Sequence, residues 1–142
     1  MRLRFFSLVL LTLGIITNVQ AQDDNIFEVV ETMPQFPNGM QGLMNYLQTN
    51  VHYPQEAEKQ EIQGRVIMGF VIEKDGSISN VKVQRGAHPL LDKEAIRVVE
   101  SMPKWKPGFQ KGKAVRVKFC LPIHFKLPDE KKQKENESTP NS

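Results

Sequence analysis

The sequence is poor in cysteine: Cys120 is the only cysteine among 142 residues. A single cysteine cannot form a disulfide within the chain, so the small secreted folds that depend on several disulfides are excluded. The fold must therefore be held together by a hydrophobic core.

Long hydrophobic runs are also missing. The longest, Phe5 to Thr17, is shorter than the roughly 18 to 20 residues that a membrane-spanning helix needs. Two arginines precede it and the small-residue pattern Val19-Gln20-Ala21 follows it, which is typical of a secretory signal peptide. We expect residues 1–21 to be removed on secretion. The alternative is a short inner-membrane anchor formed by residues 5–19.

The C-terminal segment 128–142 has no aromatic and no aliphatic residue. Such a segment cannot bury enough apolar surface to offset its ordering entropy, so it is predicted to be a disordered tail. Residues 22–35 have few structural signals and are interpreted as a lead-in segment. Residues 36–127 remain, enough for one domain with a single core and too few for two.

The chain has no strong charge bias, since 19 Lys and Arg face 16 Asp and Glu, a formal net charge of +3. Basic residues do concentrate between Lys104 and Lys126, where no acid occurs and aromatic residues are interleaved. That pattern would suit single-stranded nucleic acid. A solvated edge strand, protected from aggregation by its charges, explains it as well. We expect no nucleic-acid partner.

Motifs for catalysis or metal binding are missing too. Cys120 and His124 would share one face of a strand, but about 13 Å apart, which is too far for proton transfer. Asp92 and Glu94 are predicted in the first turn of a helix, where the helix dipole explains them. The sequence thus predicts no enzyme, no metal site and no cofactor. A thiol enzyme based on Cys120 and His124 stays as an alternative hypothesis.

Three segments have the helical period. The first begins at Asn38, a residue type favoured as an N-cap. Its apolar stripe consists of Met40, Leu43, Met44, Leu47 and Val51. A short second helix is predicted after Tyr53-Pro54, with Gly64 placed to end it. The third runs from about Leu91 to Met102 and ends before Pro103.

Alternation of apolar and polar residues with a period of two predicts three strands. Residues 65–72 and 78–85 are joined by Asp75-Gly76, which suits a tight hairpin, and a change of phase near Ser79-Asn80 indicates a bulge. Residues 114–127 form the third strand. The order of elements predicts an α+β fold: a three-stranded antiparallel sheet, ordered second, first, third, with helices packed on one face.

Two residues refine this expectation. Pro122 lacks a backbone donor, so the third strand is assigned to the edge of the sheet. Trp105 is interpreted as a core residue that joins the last helix to the last strand.

A long edge strand can accept an extended segment of another protein as an added strand. Backbone pairing would then supply affinity, and neighbouring side chains would supply selectivity. The alternative is an edge that is merely blunted by Lys118, Pro122 and Lys126. Periodicity leaves both interpretations open.

Residues 34–127 contain a characteristic succession that includes Tyr53-Pro54, Gly64-Arg65-Val66, Asp75-Gly76, Gly86, Glu94-Ala95, Pro103, Trp105, Pro107-Gly108, Gly112 and Leu121-Pro122-Ile123. In the order and spacing of these residues, the segment resembles the C-terminal domain of TonB, the periplasmic energy transducer of Gram-negative bacteria. The resemblance implies the same helices on a three-stranded antiparallel sheet, and a periplasmic location.

The resemblance also implies a partner and a site. In this family the last strand pairs with the TonB box, a short extended segment near the N-terminus of an outer-membrane receptor, and the segment before the Tyr-Pro pair adds contacts. The implied partner-binding residues are His52, Tyr53, Pro54, Val115, Arg116, Val117, Lys118, Phe119, Cys120 and Leu121. His52 stands where the family commonly has glutamine.

We therefore expect an energy-transducer module that takes part in TonB-dependent transport. Complete transducers of the family also have a long proline-rich spacer and a transmembrane anchor that engages ExbB and ExbD. Contact with ExbB and ExbD is expected only if the N-terminal segment is retained. The alternative function is a stand-alone interaction or regulatory module, which could form a homodimer through the same edge.

Overall fold

The computed structural model describes residues 25–129. The predicted signal peptide, and all but the first two residues of the predicted tail, lie outside this range. The elements are β1 (Ile26–Phe27), α1 (Gly39–Asn50), α2 (Gln55–Lys59), β2 (Gly64–Ile72), β3 (Ile78–Arg85), α3 (Pro89–Glu100), β4 (Gly108–Gln110) and β5 (Lys113–Phe125).

Strand β2 is the centre of the sheet. It pairs antiparallel with β3 on one side. On the other side it pairs antiparallel with β5 over its full length, from Gly64 opposite Phe125 to Ile72 opposite Val117. The order β3-β2-β5 is the predicted order of second, first and third strand, so the α+β prediction is confirmed.

Two short strands were not predicted. β4 forms a hairpin with the beginning of β5, with Gly108 opposite Val115. β1 runs parallel to β5, with Ile26 opposite Arg116 and Phe27 opposite Val117. The sheet is therefore mixed rather than purely antiparallel. Two or three residues are too few to show an alternation, which is why the periodicity did not reveal these strands.

The hairpin between β2 and β3 forms at the predicted place. Gly76 has a φ of 85°, and the Asp75 carboxylate accepts a 2.9 Å hydrogen bond from the backbone N–H of Ser77. The predicted bulge is also present, because Gly69 and Val71 of β2 pair with Lys82 and Ser79 of β3, which leaves one extra residue on β3. Asn80, with a φ of 50°, lies within this irregularity.

The helices cover one face of the sheet, and the core lies between the two layers. The largest fully buried side chains are Phe70, Met68, Ile72, Leu91, Val66, Val98, Val99 and Val117. Trp105 is 4% exposed, and its ring lies 5.4 Å from that of Phe36 and 5.1 Å from that of Phe119. Its interpretation as a core residue is confirmed.

Asn38 is the N-cap residue of α1, as predicted, although its φ of 64° is left-handed and its side chain makes no capping hydrogen bond. The expectation that Glu94 lies in the first turn of the last helix is wrong. Glu94 lies beyond the first turn of α3, is buried, and forms an ion pair with Arg97. The cap of α3 is instead the side chain of His88, whose Nδ1 accepts a 3.1 Å hydrogen bond from the N–H of Leu90.

Within residues 25–129, none of the helices combines the length and the apolarity that crossing a bilayer requires.

Gly76 combines a positive φ with a close backbone contact, so it should be difficult to replace. A Cβ at Gly76 would lie 1.9 Å from the backbone oxygen of Trp105, whereas a Cβ at Gly112 would meet nothing within 4 Å, although both glycines have positive φ. Gly112→Ala should cost only the backbone strain, about 1–2 kcal/mol. Gly76→Ala should cost roughly 2 kcal/mol more, because the clash moves the backbone that holds Trp105. Urea unfolding measures both, and equal losses would contradict the close contact.

Candidate functional site

The two edges of β5 differ. One edge is paired with β2 from Val117 to Phe125. On the other edge β1 pairs only at Arg116 and Val117. β4 pairs with the first residues of β5, Lys113 to Val115. From Lys118 to Phe125, no strand of the described chain pairs with this second edge, which we call the free edge.

Pro122 indicates which residues direct their backbone groups outward at the free edge. A proline within a strand occupies a position whose missing N–H would face away from the neighbouring strand. Because successive residues direct their backbone groups to opposite edges, the residues of the same parity as Pro122 face outward. Lys118, Cys120 and His124 thus offer both N–H and C=O, and Pro122 offers only its carbonyl.

An apolar groove of about 590 Å³ lies between the free edge and helix α1. It is lined on one side by Met40, Leu43, Met44, Leu47, Gln48 and Val51, and on the other by residues 119–124 of β5. A strand added to the free edge would have to lie along this groove. The groove therefore places an apolar wall next to the unpaired backbone.

The methionines of α1 face open space. Met40 is 70% exposed and Met44 is 48% exposed, whereas Leu43, in the same predicted stripe, is buried. Large exposed apolar side chains grouped in a groove are typical of a binding surface. Methionine in particular adapts its shape to different partners. The predicted stripe is thus only partly a core stripe, and the rest of it lines the groove.

The apolar surface continues past the beginning of the free edge. A recess of about 430 Å³ lies between Val29, Met33 and Phe119, and Val29 is 81% exposed. A third recess of about 310 Å³ joins Met33 to Met40. Exposed apolar groups therefore border the free edge on the lead-in segment as well as on α1.

Hydrogen bonds to α3 hold α1 in place. The Tyr46 hydroxyl donates to the carbonyl of Val98 at 2.8 Å, and burial raises the pKa of Tyr46, so the phenol stays protonated as a donor. Arg97 donates through Nη2 to the carbonyl of Asn50 at 2.6 Å and is itself bound by Glu94. The wall of the groove is therefore anchored from the side away from β5.

The Tyr53-Pro54 segment closes one end of the core. The Tyr53 ring lies 5.8 Å from that of Phe125 in an edge-on arrangement, and its hydroxyl donates to the carbonyl of Ile62. Pro54 occupies the N-cap position of α2, and His52 is exposed. Val51, the neighbour of His52, lines the groove. These predicted residues thus lie near the end of the groove rather than along it.

The predicted residues of β5 fall into two groups. Val115 and Val117 are buried against Val30, and this part of β5 is already paired with β1 and β4. Lys118, Phe119, Cys120 and Leu121 lie on the free edge. The predicted site residues did not include the later edge residues Pro122, Ile123 and His124, or the α1 wall. In the sequence Met40 and Met44 have the spacing of core residues, and only their exposure in the structure indicates that they line a groove.

Arg116 is engaged in an ion pair with Glu73. Its Nε lies 2.7 Å from Oε2 and its Nη2 lies 3.0 Å from Oε1. The hydrogen bonds from Arg116, and to a lesser extent the one from Ser79, hold the pKa of Glu73 below its ordinary value. Arg116 therefore ties β5 to the end of β2.

The alternative thiol site can be placed as well. Cys120 is exposed, and its Sγ lies 3.2 Å from Oε1 of Gln84 on β3. His124 lies opposite Arg65 in the β2 register. Within residues 25–129 no group of three or more potential metal ligands occurs.

Comparison with known proteins gives a family. The sequence model described as Gram-negative bacterial TonB protein C-terminal matches residues 49–127, more than half of the chain. The chain belongs to this family. TonB C-terminal domains are interaction modules of the Gram-negative envelope. The match begins near the end of α1, so Met40 and Met44 lie outside it.

Three solved structures of TonB C-terminal domains are similar to the chain. One from Helicobacter pylori is 23% identical, covers 61% of this chain and 78% of its own, and gives a TM-score of 0.48. A shorter form of that domain is 22% identical, covers 61% and 90%, and gives 0.45. The domain from Pseudomonas aeruginosa is 26% identical, covers 54% and 77%, and gives 0.43. No curated protein matches the chain.

The ion pair of Glu73 should make the stability of this TonB domain depend on pH. Because the folded-state pKa of Glu73 is lowered, the pair contributes stability above the unfolded-state pKa, and this is lost as pH falls through the folded-state value. Glu73→Gln should lower the free energy of unfolding by about 1 kcal/mol at pH 7.

The difference between Glu73→Gln and wild type should shrink as the pH is lowered below about 4. Glu100→Gln, at an exposed position, is the matched control. Denaturant unfolding at a series of pH values measures the effect. A loss for Glu73→Gln that is the same at pH 7 and at the acid end would contradict the role of the charge.

Proposed function

We propose that this TonB C-terminal domain binds the TonB box of outer-membrane receptors by strand addition and so takes part in TonB-dependent transport. The observation that supports this most strongly is the free edge of β5, which is unpaired from Lys118 to Phe125 within the described chain and lies beside an apolar groove. The site so proposed comprises the free edge, the α1 wall and the end of the groove near His52.

The length of the free edge suits a short extended segment. Eight residues at a rise of about 3.3 Å per residue span about 26 Å. An added strand over this length gains backbone hydrogen bonds that do not depend on its sequence, and the groove receives alternate side chains. A box of six to eight residues would fill the edge.

The lead-in segment supports the same geometry. Ile26 and Phe27 already pair with this edge of β5, so the edge accepts a strand at its beginning. After Phe27 the chain bends away at Glu28 and Val29 and leaves the edge to the later residues of β5. A receptor segment would continue the line that β1 begins.

We place this activity in the periplasm, after secretion directed by residues 1–21. Outer-membrane receptors present their N-terminal segments there, so the partner and the domain share a compartment. Transmission of energy would in addition require ExbB and ExbD, which residues 5–19 could engage only as a retained anchor.

Proline at Cys120 tests strand addition. Cys120 directs its N–H outward, so Cys120→Pro should remove one donor of the free edge while leaving the β2 pairing intact. Affinity for a TonB-box peptide, measured by calorimetric titration of the purified chain, should fall about tenfold or more. Cys120→Ala, which keeps the N–H and loses only the thiol, should bind like wild type.

Unfolding of both variants in urea checks that the fold is retained. A peptide with N-methyl groups on alternate residues cannot form the backbone bonds, and it tests the same point without altering the protein. Absence of peptide binding at millimolar concentration, or equal binding of the N-methylated peptide, would overturn the proposal. Binding that disappears as the chain dimerises would indicate that the edge pairs with a second copy instead.

A further inference from the structure

The face of the sheet opposite the helices is basic. Residues that pair directly across strands share a face. Cys120 and Lys82 both pair with Gly69, His124 pairs with Arg65, and the Cys120 thiol contacts Gln84, so these side chains lie on the face without helices. The basic and histidine side chains of this face are Arg65, Lys82, Arg85, Arg116, Lys118 and His124.

Acidic side chains are scarce on the same face. β2, β3 and β5 contain no Asp or Glu. Glu73, just after β2, is bound by Arg116. Glu28 of the lead-in segment lines a recess with Lys118 at the beginning of the free edge. Apart from Glu28, which lies at the beginning of the free edge, the positive charge of this face is not balanced by any acidic residue of β2, β3 or β5.

The other face beside the free edge is apolar. Leu121 and Ile123 belong to the core, where Leu43 of α1 also packs, and Phe119 packs against it. Met40 and Met44 stand exposed across the groove. The free edge therefore separates two surfaces of opposite character, and β5 presents them at alternate residues.

An added strand must match both surfaces at once. Its residues opposite Phe119, Leu121 and Ile123 would enter the groove, and those opposite Lys118 and His124 would lie on the basic face. Because the period of a strand is two, one sequence can satisfy both surfaces only if its character alternates.

We propose that the partner strand is amphipathic, with three alternate apolar residues flanked by an acidic residue at each end. Written along the strand, the pattern is acidic, apolar, any, apolar, any, apolar, acidic. The acidic ends would lie opposite Lys118 and opposite His124, which has Arg65 beside it. The pattern reads the same in both directions, so it holds for parallel and antiparallel addition. This inference rests on the proposed strand addition.

Opposite charges and the burial of side chains in the groove should change the affinity of a peptide by different amounts. An exposed pair of opposite charges across strands changes affinity by only a few-fold, and salt weakens it. An acidic residue turned into the groove would lose its hydration against Met, Leu and Val side chains, which is more costly. A peptide whose acidic and apolar positions are exchanged should therefore lose more affinity than a peptide whose charges are reversed.

Four peptides with the purified chain test the pattern. The reference contains Glu-Leu-Thr-Val-Thr-Leu-Glu. The second has Lys in place of both Glu, the third exchanges each Glu with its Leu neighbour, and the fourth is the reference with alternate N-methyl groups. Against the reference, the Lys peptide should bind roughly 3- to 10-fold more weakly at low salt, with a smaller difference at 0.5 M salt. The exchanged peptide should bind at least tenfold more weakly.

A charge reversal in the protein gives an independent check. Lys118→Glu should weaken binding of the reference peptide and strengthen binding of the Lys peptide. Lys93→Glu, at an exposed position on α3, should leave the binding of both peptides unchanged. If the N-methylated peptide fails to bind but the other three bind equally, the alternation is overturned and strand addition stands. If none binds, or the N-methylated peptide binds as well as the reference, strand addition itself is overturned.

Discussion

The pairing of β5 with β2 along the whole of β2 is the constraint on which the rest of the structure depends. It satisfies one edge of the longest strand from Val117 to Phe125 and fixes which side chains of β5 enter the core. The backbone N–H and C=O groups of the opposite edge are then left to be satisfied by other segments of the chain or by a partner. β1 pairs with that edge only at Arg116 and Val117, so the later half of the edge is open to a partner.

Trp105 determines how the remaining segments surround this strand. Its ring packs against Phe36, Phe70 and Phe119, and its backbone N–H donates to the carbonyl of Gly76 at 2.9 Å. One residue thus joins the start of α1, the central strand and the first hairpin. Because Phe36 is held at this point, α1 begins beside the free edge, while Tyr46 and Arg97 bind its other side to α3. The groove follows from these two attachments.

Much of the architecture could be predicted from the sequence because it depends on the periodicity of apolar residues and on the residue types that form turns. The alternation in β2 and β5, the Asp75-Gly76 hairpin and the edge position of Pro122 all depend on neighbouring residues, and the structure agrees with them. The strands β1 and β4 depend instead on contacts distant in sequence, such as Thr32 with Phe109. No local pattern reports such contacts.

The site could be predicted only in part, for a related reason. Resemblance selected the last strand, but Val115 and Val117 are covered by the lead-in segment, which carries no strand signal of its own. The groove was missed because Met40 and Met44 have the same spacing as core residues. Apolar spacing indicates which face of a helix is apolar, and the neighbouring elements decide whether that face is covered.

Two physical requirements meet at the free edge. Backbone pairing alone would accept any extended segment, including a second copy of the chain, and such an edge is a risk for aggregation. Positive charge on one side of the edge, at Lys118 and Arg65, repels a second basic edge that approaches in register. In the proposed complex, the apolar groove on the other side would favour a strand whose alternate side chains are apolar. The basic residues that protect the edge from self-pairing would then also select the partner.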